Sequence, residues 1–343
     1  MVKWCSMPVK IKRFYLKTFG CVQNTADSEK IKAYFWDKGY TSTDDWKAAE
    51  VVVINSCIVR ESAENRVYGL INIITNYKLL ITNLKPKIIV TGCLAGIKNK
   101  IKGVDEVWPI SKFDNWAPLR DKKGTALIPI SSGCNNYCSY CIVPKARGKE
   151  KSRDYNIILT EVDKAIKEGF KEVVLIGQNV NSYQPSFPKL LESVAKKPIN
   201  KVSFISSNPW DFSDELIKVI AKYSNIDRLI HLPFQSGDNK ILKKMNRRYT
   251  QKEYLDLIKK IKKYIPDVRF STDIIVGFPG EDEKAFQKTV EVCKKVNFEI
   301  AYINKYSPRK GTLSVKLYPN DIPQSEKKRR WRILNELVNK KNG

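Results

Sequence analysis

Short apolar runs alternate with amphipathic stretches over residues 13–112, and the same alternation resumes near Thr125. Apolar runs of strand length separated by helical periodicity predict a parallel α/β fold in both halves. In the first half the predicted strands are 14–18, 51–55 and 87–91, with the clearest helices at 27–38 and 61–77. In the second half six strands are predicted, at 126–130, 172–176, 201–205, 228–231, 269–276 and 299–306, with helices such as 157–168, 214–221, 251–263 and 283–295 between them. The pattern predicts an open parallel α/β sheet domain at 10–120. A six-unit partial (β/α) barrel at 121–315 follows, with its chemistry at the C-terminal ends of the strands. A basic tail helix, 324–342, lies within a last segment, 316–343.

Cysteines recur at a fixed place in this pattern. Cys21, Cys57 and Cys93 each follow a first-half strand, 36 residues apart. Strand C-termini of an open parallel sheet share one edge, so the three thiols are expected to converge there; three separately buried cysteines are the alternative. After the first barrel strand comes Cys134-Asn-Asn-Tyr-Cys138-Ser-Tyr-Cys141. Structural zinc would want a fourth ligand, and the single histidine, His231, is far away in sequence. Three close thiolates suit an iron-sulfur cluster with one open iron, the fourth site being left for a small molecule. Tyr140 is placed to shield such a cluster. His231 is expected to be a barrel residue rather than a base, Cys293 a core residue and Cys5 inert.

Charge extends the picture. With 62 Lys+Arg against 36 Asp+Glu in 343 residues the net charge is +26, yet 42% hydrophobic composition excludes a disordered polycation. No apolar run approaches the roughly 18 residues of a membrane span, and the first 20 residues do not resemble a signal peptide, so a cytoplasmic protein is expected. In that reducing compartment eight cysteines read as metal ligands rather than disulfides. The positive field suits a polyanion, nucleic acid first, unless it reflects a generally lysine-rich composition. Basic residues cluster at Lys145, Arg147, Lys149, Lys151 and Arg153, at Lys240, Lys243, Lys244, Arg247 and Arg248, and at Lys327, Lys328, Arg329, Arg330 and Arg332.

Further motifs join the cysteines: Cys21-Val-Gln-Asn with Asp27-Ser28-Glu29, Ile54-Asn55-Ser56-Cys57 with Val59-Arg60-Glu61, Thr91-Gly92-Cys93, Gly133-Cys134-Asn135-Asn136, Ile142-Val143-Pro144, Ala146-Arg147-Gly148, and Ser152-Arg153. His231-Leu232-Pro233-Phe234-Gln235-Ser236-Gly237 and the stretch from Thr272 to Glu281 follow. On these residues nearly the whole chain resembles the radical S-adenosylmethionine methylthiotransferases. The resemblance implies two [4Fe-4S] clusters. One, on Cys134, Cys138 and Cys141, would bind S-adenosylmethionine and cleave it to a radical that abstracts hydrogen from an unactivated C–H bond. An auxiliary one, on Cys21, Cys57 and Cys93, would supply sulfur and accept a methyl group. Cofactor or base contacts are expected from Tyr140, Gly177, Gln178, Asn179, Ser206, Ser207, Gln235, Ser236 and Gly277. Loop capping or turn formation is the alternative for the serines, amides and glycines.

Within the family the stretch Ile176–Tyr183, together with 59–64 and 67–69, looks most like the branch acting on isopentenyl-adenosine beside a tRNA anticodon (position 37). A threonylcarbamoyl-adenosine in the same loop and an aspartate of a ribosomal protein are the other family substrates. An apolar prenyl tail would want a pocket for which Tyr183, Trp210 and Phe212 are candidates, with core packing as their alternative role. Expected partners are the tRNA anticodon loop and an electron donor such as flavodoxin or ferredoxin, with an unknown sulfur source, no membrane and a monomeric state. Many members carry a small C-terminal RNA-binding β-barrel (the TRAM domain), and no stretch after Thr312 has the length or alternation expected of one; a naturally compact form and a cut chain are the two readings, and the Lys327–Arg332 run is expected to compensate in part. An RNA-binding protein with structural metal sites is the non-enzyme alternative.

Overall fold

The computed structural model describes residues 12–59, 61–80, 86–120 and 124–340; Cys5 and Arg60 lie outside them. Two compact units are present, 1–121 and 122–343.

The first unit contains β1 (Lys12–Thr18), α1 (Val22–Asp37), β2 (Tyr40–Ser42), β3 (Val51–Ser56), α2 (Glu61–Leu80), β4 (Lys87–Gly92) and β5 (Glu106–Val107). All its strand pairs are parallel, in the order β2-β1-β3-β4-β5. Every residue of β3 is buried, as a central strand covered on both faces requires. Phe14, Val51, Val53 and Ile89 pack with Ile31 and Phe35 of α1 and with Phe113, and the Phe14 and Phe35 rings stack at 4.8 Å. Helix α1 starts five residues before the expected 27, because Gln23, Asn24 and Thr25 carry no apolar period. Asn24 at its third position accepts the Cys21 N–H (3.4 Å) and starts the helix by hydrogen bonding instead.

The second unit contains β6 (Thr125–Pro129), β7 (Ser131–Ser132), α3 (Val143–Arg147), β8 (Lys151–Ser152), α4 (Tyr155–Lys167), β9 (Glu172–Ile176), α5 (Phe187–Ala195), β10 (Lys201–Phe204), α6 (Asp214–Lys222) and β11 (Leu229–His231). It continues with α7 (Asn239–Lys244), α8 (Gln251–Tyr264), β12 (Arg269–Val276), α9 (Glu283–Val296), β13 (Ile300–Lys305), α10 (Leu313–Leu317) and α11 (Gln324–Val338). Strands β6, β9 and β10 form one parallel sheet, β11, β12 and β13 a second, and a parallel bridge from Val202 to Ile226 joins them. The six predicted strands are thus adjacent in chain order, the arrangement of a partial (β/α) barrel. Asp154, Ser186, Ser213, Asp238, Thr250 and Asp282 each cap the helix that follows, which fixes where the helices leave the loops. Among the described residues no helix is long and apolar enough to cross a membrane.

Helix α11 closes the exposed edge of β13. Asn339, just past its end, accepts the Ala301 N–H (2.9 Å) and donates to the Ala301 carbonyl (3.0 Å), while Trp331 Nε1 donates to Ile303 O (3.0 Å). Side chains thereby satisfy backbone groups that an open edge leaves bare. This narrows the basic run expected to help bind RNA: Lys327 and Arg330 are 2% and 4% exposed and hold the helix down. Lys327 Nζ donates to Asn320 Oδ1 (2.7 Å) and Tyr306 O (3.2 Å), and Arg330 pairs with Glu281 and Glu326. Only Lys328 and Arg332 of the five are fully outward.

Candidate functional site

In the first unit the register carries the cysteines to one sheet edge. Ser56 pairs with Gly92, so Cys57 and Cys93 leave adjacent strands together, and the Cys93 N–H donates to Ser56 O (2.9 Å). Cys21 leaves the next strand, β1, after Phe19 N–H has bonded Asn55 O (2.8 Å). Cys21 is exposed, while Cys57 and Cys93 are buried.

A buried amide pair ties these loops together. Asn24, 0% exposed, donates through Nδ2 to Asn55 Oδ1 and Ser56 O (both 3.1 Å), and Asn55 Nδ2 returns to Asn24 O (2.8 Å) and Ser28 Oγ (2.9 Å). Gly92 must be glycine here: at φ +84° a Cβ would lie 2.4 Å from Asn55 Oδ1.

In the second unit, β7 and β8 form an antiparallel hairpin that closes the base of the cysteine loop. At Gly133 (φ +73°) a Cβ would meet Lys149 O at 2.2 Å, and Cys134 N–H bonds Gly148 O (3.2 Å). The loop is docked on the segment after α7: Ser139 N–H donates to Met245 O (3.0 Å), Ser139 Oγ to Lys244 O (2.7 Å), and Asn246 Nδ2 to Tyr137 O (2.8 Å).

Each sulfur of this loop receives an N–H. Asn136 donates to Cys134 Sγ (3.4 Å), Arg247 Nη1 to Cys138 Sγ (3.5 Å), and the Val143 backbone to Cys141. Burial pushes the Cys134 thiol up to about 11 and Cys141 to about 12, and the neighbouring Cys138 sulfur adds to both shifts. Thiolates this close would repel one another, so their joint deprotonation is favoured by a bound metal that neutralises them. Among the described residues no three His, Cys, Asp or Glu side chains gather round a single-ion position. A cubane has a different demand, since each thiolate binds its own iron. The donor set, three partly buried thiols each with an N–H donor, fits such a cluster.

Beside the loop lies a cleft of about 450 Å³ whose walls include Asn135, Asn136, Glu150, Asn179, Trp210 and Arg248. Asn136 Nδ2 and Asn179 Oδ1 are buried without a protein partner, which leaves a donor and an acceptor for a polar ligand. Asn179 is held by its Nδ2 bond to Asp211 (2.7 Å). Gln178 and Ser206 are half-buried at the ends of β9 and β10, Ser206 with φ 69°. Gln235 is 8% exposed with φ 65° and an unpartnered Oε1. Gly177 packs so closely that a Cβ would lie 2.6 Å from Ser131 Oγ. Tyr140 meets Phe278 edge-on at 6.5 Å and lies beside Cys138 and Cys141.

Three of the expected contacts are also engaged within the chain. Ser207 donates to His231 O, and Ser236 Oγ accepts the Asp238 N–H (3.3 Å) in the turn before α7. Gly277, at φ +71°, has its free side filled by Lys327, whose Cγ would be 2.3 Å from a Cβ. Tyr183 and Phe212 are core residues, so of the three aromatic candidates only Trp210 reaches the cleft.

Arg247 was not expected at the site; its sequence placed it in a basic patch. It is 8% exposed, its Cζ lying over Trp210 at 4.6 Å and Tyr249 at 5.3 Å. Lys244 of the same patch also turns inward, donating to Pro279 O (3.3 Å).

The Radical SAM superfamily signature matches residues 128–293, and that of Uncharacterized protein family UPF0004 matches 13–107. A tRNA-2-methylthio-N(6)-dimethylallyladenosine synthase of Clostridium botulinum (strain Okra / Type B1) is 39% identical over 96% of the chain and 82% of that protein. The synthase of that name from Staphylococcus haemolyticus is 40% identical over 96% of the chain and 72% of that protein. The chain belongs to the radical SAM methylthiotransferase family. Among solved structures, the radical S-adenosylmethionine methyltransferase TsrM from Kitasatospora setae superimposes with a TM-score of 0.64 over 90% of this chain and 78% of that one, at 14% identity, a likeness of fold. As a radical SAM methylthiotransferase the chain uses S-adenosylmethionine and a [4Fe-4S] cluster.

Proposed function

We propose that this methylthiotransferase acts on tRNA, converting N6-isopentenyl (dimethylallyl) adenosine at position 37, beside the anticodon, to its 2-methylthio derivative. What carries the reading is the extent of the likeness: synthases of that name are 37–40% identical over 95–97% of the chain. That name also favours the isopentenyl branch over the threonylcarbamoyl and ribosomal-protein ones.

Cys134, Cys138 and Cys141 would hold the radical cluster, and Cys21, Cys57 and Cys93 an auxiliary one. Their common sheet edge and the Asn24–Asn55 clamp support the second assignment. When bound, the clusters and S-adenosylmethionine supply one-electron chemistry at an unactivated C–H bond and the sulfur to be inserted. The chain's residues orient and bind. Asn136 and Asn179 offer a donor and an acceptor to the polar end of the cofactor, with Gln178, Ser206 and Gln235 at neighbouring strand ends. Trp210 offers the cleft an aromatic wall, and exposed Lys145, Lys149, Lys151, Lys240, Lys243 and Arg248 are suited to phosphates. We assign 10–120 to the auxiliary cluster and 121–315 to radical chemistry, with the tail helix packed on the barrel. A cytoplasmic monomer reduced by flavodoxin or ferredoxin completes the proposal.

The test is anaerobic reaction with isopentenylated tRNA followed by mass spectrometry of its nucleosides. A methylthio group on isopentenyladenosine is expected; product only with threonylcarbamoylated tRNA overturns the branch. Iron and sulfide analysis should give about eight irons per chain, whereas stoichiometric zinc without them overturns the enzyme reading.

A further inference from the structure

Arg247 is a buried cation with an unusual set of partners. Its guanidinium donates to Cys138 Sγ (3.5 Å), Pro233 O (3.1 Å) and Tyr249 Oη (3.3 Å), and among the described residues no carboxylate pairs with it. An arginine cannot shed its charge, and a buried charge without a counter-charge is costly. The faces of Trp210 and Tyr249 offset part of that cost. The remaining anions at hand are the sulfurs of the loop, once they are thiolates.

Every other basic residue of this patch is accounted for differently. Lys240, Lys243 and Arg248 are exposed, and Lys244 is bonded to Pro279 O. Arg247 is therefore a charge built into the floor of the loop rather than part of its outer surface. Its position is fixed by Tyr249, whose hydroxyl donates to Phe234 O (2.7 Å), and by the Pro233 carbonyl, both within the described second unit.

We propose that Arg247 is the resident counter-charge of the cluster on Cys134, Cys138 and Cys141, and that its N–H bond to Cys138 and its buried charge raise the cluster's reduction potential. The proposal rests on the reading that these thiols ligate the cluster. Reduction adds one electron, from an external one-electron donor of the ferredoxin class, to a cluster already carrying three thiolates. A fixed cation beside a ligand sulfur favours the more negative, reduced state, and N–H bonds to the sulfurs act in the same direction. Arg247 is thus a positioning and tuning residue, with no contact to substrate claimed.

The test uses the full chain in a Cys21→Ala, Cys57→Ala, Cys93→Ala background, so that one cluster remains. With Arg247 intact, cluster content is measured by iron and sulfide, and the reduced-to-oxidised ratio by electron paramagnetic resonance at a fixed potential near the midpoint. Arg247→Gln should lower that ratio at least tenfold, a midpoint about 59 mV more negative for one electron, and Arg247→Lys should recover most of it. Arg247→Met, which fills the site without a polar head, repeats the measurement should the Gln variant lose its cluster. A ratio within twofold of the parent in either neutral variant overturns the proposal. Loss of the cluster in both neutral variants with retention in the Lys variant supports a required cation; loss in all three variants overturns it in favour of a purely structural guanidinium. No cluster with Arg247 intact removes the ligand assignment itself, and the proposal with it.

Discussion

Arg330 Nη1 lies 2.8 Å from Glu281 Oε2, with the two side chains 4% and 0% exposed. The same carboxylate oxygen accepts the Gly277 N–H (2.5 Å), so one ion pair joins α11 to the turn that ends β12. Removing one partner of a buried pair leaves the other uncompensated, at a cost of about 3–5 kcal/mol. Arg330→Ala should therefore lower the urea midpoint strongly. Arg330→Met with Glu281→Gln should recover part of the loss, since both charges leave together. Equal midpoints for Arg330→Ala and the parent would contradict the role of this pair.

The same burial separates basic residues that bind polyanions from those that hold the fold. Lys145, Lys149 and Lys151 are exposed, whereas Arg153 bonds Glu161 at 2.7 Å across the start of α4. Changing the three lysines to Gln should weaken tRNA binding and flatten its salt dependence by about 0.7–0.9 log units for each phosphate no longer neutralised, with stability unchanged. Filter binding at several salt concentrations measures both; an unaltered slope would place the RNA elsewhere.

Periodicity revealed the six barrel strands because each is an apolar run of strand length, and the cysteine spacing revealed the loop between β7 and β8. Polar order was hidden. The first turn of α1 rests on Asn24, a residue with no hydrophobic signature, and the inward turn of Arg247 and Lys327 contradicts their residue type. A basic run in sequence does not say which of its members have carbonyls, carboxylates or sulfurs waiting within the fold. The Arg247-Arg248-Tyr249 order held a partial signal: with Tyr254 and Trp210 nearby, one arginine of the pair has aromatic faces to bury against.

Asn24→Ala removes the amide that bonds Cys21, Asn55 and Ser56 at once. Stranding buried partners costs about 1–3 kcal/mol each, and that destabilisation falls on the edge carrying Cys21, Cys57 and Cys93. Iron per chain should drop from about eight toward about four, with S-adenosylmethionine cleavage retained. Full iron content in Asn24→Ala would show that the cysteines are positioned without the clamp.

Cys57→Ala separates the two triads by function. The buried thiol lies on the first unit's sheet edge, remote in sequence from the loop of Cys134, Cys138 and Cys141. The variant should still form 5′-deoxyadenosine from S-adenosylmethionine but no methylthiolated nucleoside. Chromatography of the small-molecule products and mass spectrometry of the tRNA read the two outcomes independently, and normal methylthiolation would remove the auxiliary role from this cysteine.

His231 gives the barrel a pH-dependent contribution with a defined sign. Its side chain is 12% exposed, and Nε2 lies 3.2 Å from Asp273 Oδ2. Nδ1 is buried with no partner, and the ring stacks on Tyr302 at 5.8 Å. Burial pushes the imidazole down to about 4. The unfolded chain takes up this proton near the ordinary pKa of about 6.5, the folded chain only near 4, so between those values the unfolded state binds more protons. The contribution is complete above about pH 6.5 and is lost as pH falls toward 4, amounting to at most about 3 kcal/mol. Urea midpoints of the parent should therefore fall more steeply than those of His231→Gln between about pH 7 and about pH 5. Parallel pH profiles would mean that the folded imidazole is protonated as easily as the unfolded one, and that Asp273 rather than burial sets its charge.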